Sequence, residues 1–208
     1  MKIGVLVSGQ GTNLAALIAA RDANTLAPAE LAVVVSNIHG VPALARADAA
    51  GIPQTVVPHA FAGVIRKREE FEEQLLDVLF AHEVDAVVLA GFMRLLTPHF
   101  LDHFPYAIIN THPSLLPAFP GKDATEQAIA HGVKLAGVSV HFVDATLDGG
   151  PIIAQAAVPV LPDDDAASLL ARIQAEEHRL LPTVVQRLAA GELTCKGRVV
   201  TIGAVRAE

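Results

Sequence analysis

The chain has 208 residues, of which 52% are hydrophobic and only 4% aromatic, and its formal net charge is −7. This length is sufficient for one well-buried α/β domain and too short for two ordinary domains with a linker. The excess of acidic residues excludes the broad basic surface of a typical nucleic-acid-binding protein, so any phosphate must be held by local groups.

The cysteine count and the amino-terminal residues indicate a cellular compartment. Cys195 is the single cysteine, so no internal disulfide can form and a reducing compartment fits. The apolar run at residues 3–7 is too short for the core of a signal peptide, and no apolar stretch approaches the length of a membrane span. We therefore expect a cytoplasmic protein without a membrane partner.

Short β-branched runs alternate with helical patterns through the first half of the chain. This alternation indicates right-handed crossovers and a parallel sheet. We therefore predict an α/β fold with an open, mostly parallel twisted sheet and helices on both faces. The predicted strands are residues 3–7, 31–36, 55–57, 86–90 and 107–109, and the predicted helices are residues 13–22, 42–50 and 65–82.

The pattern changes after Gly121. A helix is predicted at 124–131, followed by two strands that are joined through a turn at Asp148 and form an antiparallel C-terminal part. A long helix is then predicted, which Pro182 would kink or break. Because the chain shows no repeat, low-complexity tract or linker, we predict a single domain over residues 1–208. The two strands are residues 137–143 and 152–160, the long helix is 166–189, and a terminal hairpin is predicted at 191–205.

A loop with two glycines, residues 8–13, separates the first predicted strand from the first helix. Exposed N–H groups and the helix dipole favour an anion at such a position. The third glycine of the dinucleotide-binding pattern is replaced by Leu14, and the second strand is followed by Asn37 rather than an acid. We therefore predict a site for a single phosphate. The alternative is a structural turn in which Asn13 caps the helix.

Three polar side chains follow apolar runs in the second half of the chain. Asn110 and His112 come after residues 107–109, and Asp148 comes after residues 138–143. Ligands of open α/β sheets bind beyond the carboxyl ends of strands, so these positions are a candidate site. An amide that donates to an oxyanion, an imidazole and a carboxylate that orients it suit acyl-type transfer. Each is also a plausible turn residue, since proline follows His112 and two glycines follow Asp148.

Residues 110–121, together with 147–150, resemble the folate-dependent formyltransferases. The resemblance extends over nearly all of residues 1–190 to the branch of that family that formylates glycinamide ribonucleotide. It implies a Rossmann-like formyltransferase fold. It also implies that the formyl group of 10-formyltetrahydrofolate, a co-substrate, is transferred to the amine of glycinamide ribonucleotide in de novo purine biosynthesis.

The same resemblance divides the chain into parts and assigns roles to residues. Residues 1–100 would bind the ribotide phosphate, residues 101–190 would carry catalysis and the folate, and residues 191–208 would form the terminal hairpin. Asn110 would donate to the oxyanion, His112 would support that oxygen and deliver a proton, and Asp148 would keep the imidazole charged. The ribotide is assigned to Gly11, Thr12, Asn13, Gln174 and Glu177, with Glu177 receiving the glycine amine. The folate is assigned to Arg68, Met93, Arg94, Leu95, Leu96, Asp144 and Asp148.

The sequence gives no sign of a metal site. His99 and His103 have helical spacing, but no nearby acid completes a site of the zincin kind. The acidic residues 163–165 are explained as a cluster at a helix N-terminus. We expect small-molecule substrates, no nucleic-acid partner, and a monomer or a homodimer.

Two other functions remain open at this point. A formyltetrahydrofolate hydrolase would share the three polar residues, although we expect such an enzyme to carry an N-terminal regulatory domain. A non-enzymatic module that binds a phosphorylated metabolite would need the glycine loop but not Asn110, His112 and Asp148 together.

Overall fold

The structure, a computed structural model, describes residues 1–61 and 64–203. The strands are β1 (Lys2–Val7), β2 (Glu30–Ser36), β3 (Gln54–Val56), β4 (Ala60–Phe61), β5 (Val64–Ile65), β6 (Ala86–Leu89), β7 (Ile108–His112), β8 (Leu135–Phe142), β9 (Ile152–Pro159), β10 (Leu193–Lys196) and β11 (Val199–Ile202). The helices are α1 (Thr12–Asp22), α2 (Pro42–Ala49), α3 (Arg68–Ala81), α4 (Pro98–Leu101), α5 (Ala124–Ala130) and α6 (Ala166–Ala189).

Seven of these strands form one sheet in the order β3-β2-β1-β6-β7-β8-β9. The first five are mutually parallel, whereas β8 pairs antiparallel with both β7 and β9. The predicted mostly parallel sheet with an antiparallel C-terminal part is therefore confirmed. The strand order reverses between β1 and β6, and ligands of open α/β sheets bind beyond the strand ends at such a reversal.

Apolar clusters cover both faces of the sheet. Val5 belongs to one cluster and its neighbour Leu6 to the other, because successive residues of a strand point to opposite faces. Burial on both faces explains why the parallel strands are nearly continuous apolar runs. The first cluster includes Leu17 of α1, Ala43 of α2 and Val185 of α6, and the second includes Leu75 of α3 and Phe100 of α4.

The structure corrects several predicted element bounds. The helix predicted from residue 65 begins at Arg68, because Val64–Ile65 pairs with Ala60–Phe61 as a short β-hairpin. Helix α4 was not predicted, since its four residues are too few to show a helical period. The terminal hairpin is confirmed for β10 and β11, while residues 204 and 205 of its predicted range lie outside the described residues.

Helix α6 runs through the buried Pro182 without a break. A proline inside a helix costs one backbone hydrogen bond. Burial of the neighbouring Leu181, Val184 and Val185 offsets that cost and keeps the helix continuous. None of the helices formed by the described residues is long and apolar enough to cross a membrane.

The acidic cluster at residues 163–165 lies at the start of α6, as predicted. The Asp165 carboxylate accepts the Ser168 N–H at 2.8 Å, and the Ser168 hydroxyl accepts the Asp165 N–H at 3.1 Å. This reciprocal arrangement is a capping box. Asp164 accepts two hydrogen bonds from the Arg172 guanidinium, which hold the pKa of that carboxyl well below its usual range.

Ser139, a buried residue of β8, fixes the loop that follows β7. Its hydroxyl donates to the Ser114 carbonyl at 2.7 Å and accepts the Leu116 N–H at 2.9 Å and the Gln155 Nε2 at 2.8 Å. Ser139 also pairs with His112 across the two strands. The residue that aligns β8 with β7 therefore also holds the loop after β7.

Replacing Ser139 with Ala should destabilise the protein by about 1–3 kcal/mol, because it removes the acceptor of the buried Leu116 N–H. Urea denaturation measures this free energy of unfolding. Thr201→Ala, which removes an exposed hydroxyl of the terminal hairpin, is the control and should change stability by no more than about 0.5 kcal/mol. Equal stability of the two variants would show that the Ser139 hydroxyl does not hold the loop.

Candidate active site

The structure brings Asn110, His112 and Asp148 together. Asp148 lies on the connection between β8 and β9, residues 143–151, as expected. Asn110 and His112 lie within β7 and not on a loop after it, which corrects the prediction from sequence. The physical reason is the antiparallel pairing with β8, which extends the ladder of β7 as far as His112. Asn110 and His112 are two residues apart in one strand and therefore share a face of the sheet.

Both ring nitrogens of His112 are next to oxygen acceptors. Nε2 lies 2.7 Å from the carbonyl oxygen of Phe119, and Nδ1 lies 3.4 Å from Oδ2 of Asp148. The side chain is only 6% exposed, so water competes little with these two partners. An N–H on either ring nitrogen would point at an oxygen acceptor. Phe119 and Asp148 therefore fix the orientation of the His112 ring.

Asp148 combines a turn conformation with a contact to the imidazole. Its φ of 47° is left-handed, and its Oδ2 accepts the Gly121 N–H at 2.8 Å. This bond holds residues 143–151 against the loop that follows β7. A Cβ at Gly150 would lie 1.8 Å from the Phe142 carbonyl oxygen, so this turn requires glycine there. The turn role and the catalytic role that the sequence suggested for Asp148 are thus compatible in one geometry.

A second imidazole, that of His141, was not predicted from sequence. Its Nδ1 lies 2.8 Å from the Phe142 carbonyl oxygen, and its Nε2 lies 3.4 Å from Asn110 Nδ2 and 3.8 Å from Asp148 Oδ1. Burial lowers the pKa of His141 despite the opposing influence of the Phe142 carbonyl and the Asp148 carboxylate. A neutral ring with its proton on Nδ1 presents a lone pair to the Asn110 amide. The sequence signal that could have identified His141 is a histidine within an apolar strand.

The glycine loop leads into the first turn of α1. Gly11 is the N-cap of that helix, with a left-handed φ of 71°, and Thr12 is its first residue. A Cβ on Gly11 would lie 2.6 Å from the Cβ of Ala43 in α2, so glycine is required both for conformation and for space. The first N–H groups of a helix have no partner within it and can bind an anion. The alternative in which Asn13 caps the helix is wrong.

The Asn13 side chain instead joins a polar cluster with Thr111 and Glu177. Asn13 Nδ2 donates to Glu177 Oε1 at 3.0 Å, and the Thr111 hydroxyl donates to the same oxygen. These residues come from α1, β7 and α6, and Glu177 is buried. Since Thr111 and His112 are successive strand residues, this cluster and the imidazole lie on opposite faces of β7. Within the described residues, buried Asn13 Oδ1 has no hydrogen-bond partner.

Met93, Arg94, Leu95 and Leu96 lie on the segment between β6 and α4. The side chains of Met93 and Leu95 are 75% and 56% exposed and present apolar surface to solvent. The Met93 N–H donates to Ser8 Oγ at 2.9 Å, which connects this segment to the end of β1. The segment therefore offers apolar surface beside the glycine loop.

The remaining predicted residues differ in their relation to the site. Asp144 lies on the same connection as Asp148, and its Oδ1 accepts the Thr146 N–H at 2.8 Å. Gln174 lies on α6, three residues before Glu177, and is partly exposed. Arg68 is exposed at the first residue of α3, and the hydrogen bonds among the described residues do not connect it to Asp148.

No metal centre is found in the part of the chain that the structure describes, where three or more His, Cys, Asp or Glu side chains nowhere group in a way that could hold an ion. His99 instead pairs with Glu73, at 2.8 Å between Nε2 and Oε1. Its ring packs edge-on against His103, with ring centroids 5.3 Å apart.

Comparison with known proteins shows extensive sequence similarity. Residues 1–185 match the model of the formyl transferase family. The chain is 45% identical over 192 residues to the trifunctional purine biosynthetic protein adenosine-3 of Drosophila melanogaster, an alignment that covers 91% of this chain and 14% of that protein. It is 42% identical over 194 residues to the phosphoribosylglycinamide formyltransferase of Escherichia coli (strain K12), which covers 93% of this chain and 89% of that protein.

Solved structures show the same similarity in three dimensions. The glycinamide ribonucleotide transformylase 1 from Symbiobacterium toebii superposes with a TM-score of 0.93 at 46% identity, covering 98% of this chain and 94% of that chain. A formyltetrahydrofolate deformylase from Pseudomonas syringae superposes with a TM-score of 0.89 at 26% identity, covering 97% of this chain and 65% of that chain. The fold is therefore found in proteins named for two different reactions, transformylation of a ribonucleotide and deformylation of formyltetrahydrofolate.

The burial of His141 predicts a pH-dependent stability. Its pKa in the folded chain lies below the ordinary histidine pKa of about 6.5, so as the pH falls the unfolded chain takes up a proton that the folded chain does not. The stability due to neutral His141 is fully present above that value and declines as the pH falls below it. The melting temperature should therefore fall more between about pH 7 and about pH 5 in the wild type than in His141→Gln. Parallel melting curves would contradict this.

Proposed function

The chain belongs to the formyl transferase family, and from this premise we propose that it transfers the formyl group of 10-formyltetrahydrofolate to the amine of glycinamide ribonucleotide. The observation that carries the proposal is His112, held between Phe119 and Asp148 on the same face of β7 as Asn110. The chain spans only 14% of the Drosophila trifunctional relative, so this one activity is proposed and no other.

Asn110 and His112 act on the formyl oxygen. The ribotide amine attacks the formyl carbon, and the carbonyl oxygen acquires negative charge in the tetrahedral intermediate. Asn110 Nδ2 and His112 Nε2 donate hydrogen bonds to that oxygen, which takes the place of the Phe119 carbonyl beside Nε2. Donors aimed at developing charge in a site with little water contribute strongly to catalysis. Asp148 orients the imidazole from its Nδ1 side and is placed to balance positive charge on the ring during proton transfer.

The reaction is balanced in bonds and protons. A bond forms between the ribotide nitrogen and the formyl carbon, and the bond between that carbon and N10 of the folate breaks. The nitrogen of the amine loses one proton and N10 gains one. His112 gives a proton toward N10, and the proton released by the amine restores the imidazolium, so the enzyme returns to its starting state. No metal is required by this scheme.

The ribotide binds at the glycine loop and the polar cluster. Its phosphate accepts hydrogen bonds from the backbone at Gly11, Thr12 and Asn13, as the first turn of α1 permits. Glu177 and Gln174 bind the sugar and glycine part. This assignment is supported by the position of the buried Glu177 carboxylate. Its Oε1 accepts hydrogen bonds from Asn13 Nδ2 and from the Thr111 hydroxyl, which hold it next to the start of α1. The ribotide then extends past the end of β7 from Glu177 to His112.

The folate binds along the opposite border of the site. Met93 and Leu95 supply exposed apolar surface for the fused ring, and Arg94 and Leu96 complete that segment. Asp144 and Asp148 contact the folate from residues 143–151. Arg68 binds the carboxylate tail, for which its exposed position and positive charge are suitable.

The test of the function is an acceptor-dependent assay without added metal. Purified protein should consume 10-formyltetrahydrofolate only when glycinamide ribonucleotide is present, because the amine is the nucleophile. The assay follows the folate by absorbance and formylated ribotide by mass spectrometry. Steady formate release without the ribotide would instead favour a hydrolase, and binding without turnover would favour a phosphometabolite-binding module.

Asp148→Asn should lower kcat by roughly 10²–10⁴, the usual effect of losing a positioned acid–base group. Asparagine tolerates a left-handed φ and still accepts the Gly121 N–H, so the turn is kept while the charge is removed. The matched control is Asp123→Asn, an exposed aspartate with a φ of 57° at the start of α5, which should leave kcat unchanged.

Companion variants test whether the three residues act on one transition state. Asn110→Ala should cost about 10²–10³ in kcat through lost oxyanion stabilisation. Combining Asp148→Asn with His112→Ala should cost far less than the product of the two single losses. Multiplicative losses, or a near-wild-type Asp148→Asn enzyme with normal melting curves, would leave Asp148 with a turn role alone.

Gly11→Ala should weaken ribotide binding by roughly tenfold, since a left-handed alanine is strained and its Cβ pushes the loop away from Ala43. Tetrahydrofolate binding measured without the ribotide should change much less, because the hydrogen bond from the Met93 N–H to Ser8 does not involve Gly11. Calorimetric titration measures both affinities. Gly40→Ala is the control, because Gly40 has a φ of 67° with open space around its Cβ position. Equal ribotide affinities in the two variants would argue against the loop as the phosphate site.

A further inference from the structure

Ser8 links the two segments that the proposed function assigns to different substrates. It follows β1 directly and precedes Gly11, Thr12 and Asn13 of the phosphate loop by a few residues. Strands β1 and β6 are neighbours, and their ladder ends with the bond from the Ala90 N–H to the Leu6 carbonyl at 2.9 Å. Beyond this point the side chain of Ser8 makes the next link, because its Oγ accepts the Met93 N–H at 2.9 Å.

The Ser8 hydroxyl makes two hydrogen bonds. It donates its proton to Asn37 Oδ1 at 2.6 Å, so its lone pairs remain to accept the Met93 N–H. Asn37 is buried at the end of β2, and its Nδ2 lies 3.1 Å from Nδ1 of His59. The hydroxyl is therefore held in one orientation by a buried neighbour, and donation strengthens it as an acceptor. An alanine at this position would leave both partners without their hydrogen bond to Ser8.

The proposed folate-binding segment, residues 93–96, is also held at its other end. Buried Glu72 of α3 accepts the Thr97 N–H at 2.8 Å and the Thr97 hydroxyl. Residues 93–96 are thus tied at one end to Ser8 and at the other to Glu72, while Met93 and Leu95 remain exposed. A segment fixed in this way loses little conformational freedom when a ligand binds to it.

The glycine loop is also fixed, but to different partners. The Gly9 carbonyl accepts the Ala43 N–H at 3.2 Å, and the Gln10 carbonyl accepts the Arg46 Nε–H at 2.9 Å. The short backbone between Ser8 and the start of α1 is therefore held in place by α2. From Ser8 a single hydrogen bond leads on to the Met93 N–H.

We propose that Ser8 is a positioning residue that couples the ribotide-binding loop to the folate-binding segment, so that each substrate raises the affinity for the other. This inference rests on the proposed function. Coupling of this kind is reciprocal: the factor by which the ribotide changes folate affinity equals the factor by which the folate changes ribotide affinity. The Ser8 hydroxyl is responsible for this coupling, whereas Glu72 only holds the end of the folate-binding segment at Thr97.

The test measures binding with a pair of ligands that cannot react, tetrahydrofolate and glycinamide ribonucleotide. The coupling factor is the tetrahydrofolate Kd without ribotide divided by the Kd with saturating ribotide. It should exceed one in the wild type. In Ser8→Ala it should approach one, and the Kd without ribotide should rise about 3- to 10-fold through the lost hydrogen bond. Ser8→Thr, which keeps a hydroxyl, should restore the wild-type factor.

Two further variants separate coupling from general loosening. Glu72→Gln weakens the anchor at Thr97 and should raise the tetrahydrofolate Kd while leaving the coupling factor at its wild-type value. Thr201→Ala removes an exposed hydroxyl in the terminal hairpin and should change neither quantity. A coupling factor lost equally in Glu72→Gln and Ser8→Ala would overturn the specific role of Ser8.

Hydrogen exchange of the Met93 amide provides a readout that needs no ligand. In Ser8→Ala this amide should exchange faster than in the wild type, because its acceptor is gone. Unchanged Met93 exchange in a folded Ser8→Ala variant, or a coupling factor that stays at the wild-type value, would overturn the inference. Wild-type protein that binds neither tetrahydrofolate nor the ribotide would overturn the proposed function instead, so the two failures can be distinguished.

Discussion

Strands β7 and β8 run in opposite directions, and their register pairs Asn110 with His141 and His112 with Ser139. The site depends on this pairing. It extends β7 far enough to carry both proposed catalytic side chains on a rigid strand, and it places Ser139 where it holds the loop that brings the Phe119 carbonyl to His112. A slip of one residue would turn every side chain of β8 to the other face. In the parallel part of the sheet each strand is followed by its own loop. That part therefore cannot provide this arrangement, in which one strand carries both side chains.

Successive side chains of β7 point to opposite faces of the sheet, which divides the site into two sides. His112 points toward Asp148, while Thr111 points toward Asn13 and Glu177, where α1 and α6 cover the sheet. Each side consists of buried polar groups that are costly unless they are paired. The pairing comes from elements far apart in the chain, so each side forms only when the whole sheet is assembled. The net charge of −7 provides no general attraction for a phosphate, which leaves the backbone N–H groups at the start of α1 as the suitable donors.

Sequence patterns predicted the fold well where periodicity was long, and poorly where it was short. The parallel strands and α6 were found because apolar runs and a helical stripe persist over many residues, whereas α4 and the β4–β5 hairpin are too short to show a period. Asn110, His112 and Asp148 could be named because they follow apolar runs in a pattern that resembles a family. His141 and Ser8 could not, since the role of each depends on a partner set by strand register or by a loop distant in sequence. The placement of Asn110 within a strand was missed for the same reason.

Because the fold is shared, we propose that groups on the side of β7 that faces α1 and α6 select the acceptor of the formyl group. A deformylase superposes closely on this chain, so the sheet by itself does not distinguish transfer to an amine from transfer to water. Both reactions need an oxyanion donor and a proton donor, the roles that we propose for Asn110 and His112. Transfer to an amine additionally needs a bound acceptor whose nitrogen reaches the formyl carbon before water does. Gly11, Asn13 and Glu177 are suited to hold such an acceptor, and the link through Ser8 connects that side to the folate segment. We therefore expect selectivity against water to depend on binding the two substrates together, and much less on the chemistry at His112.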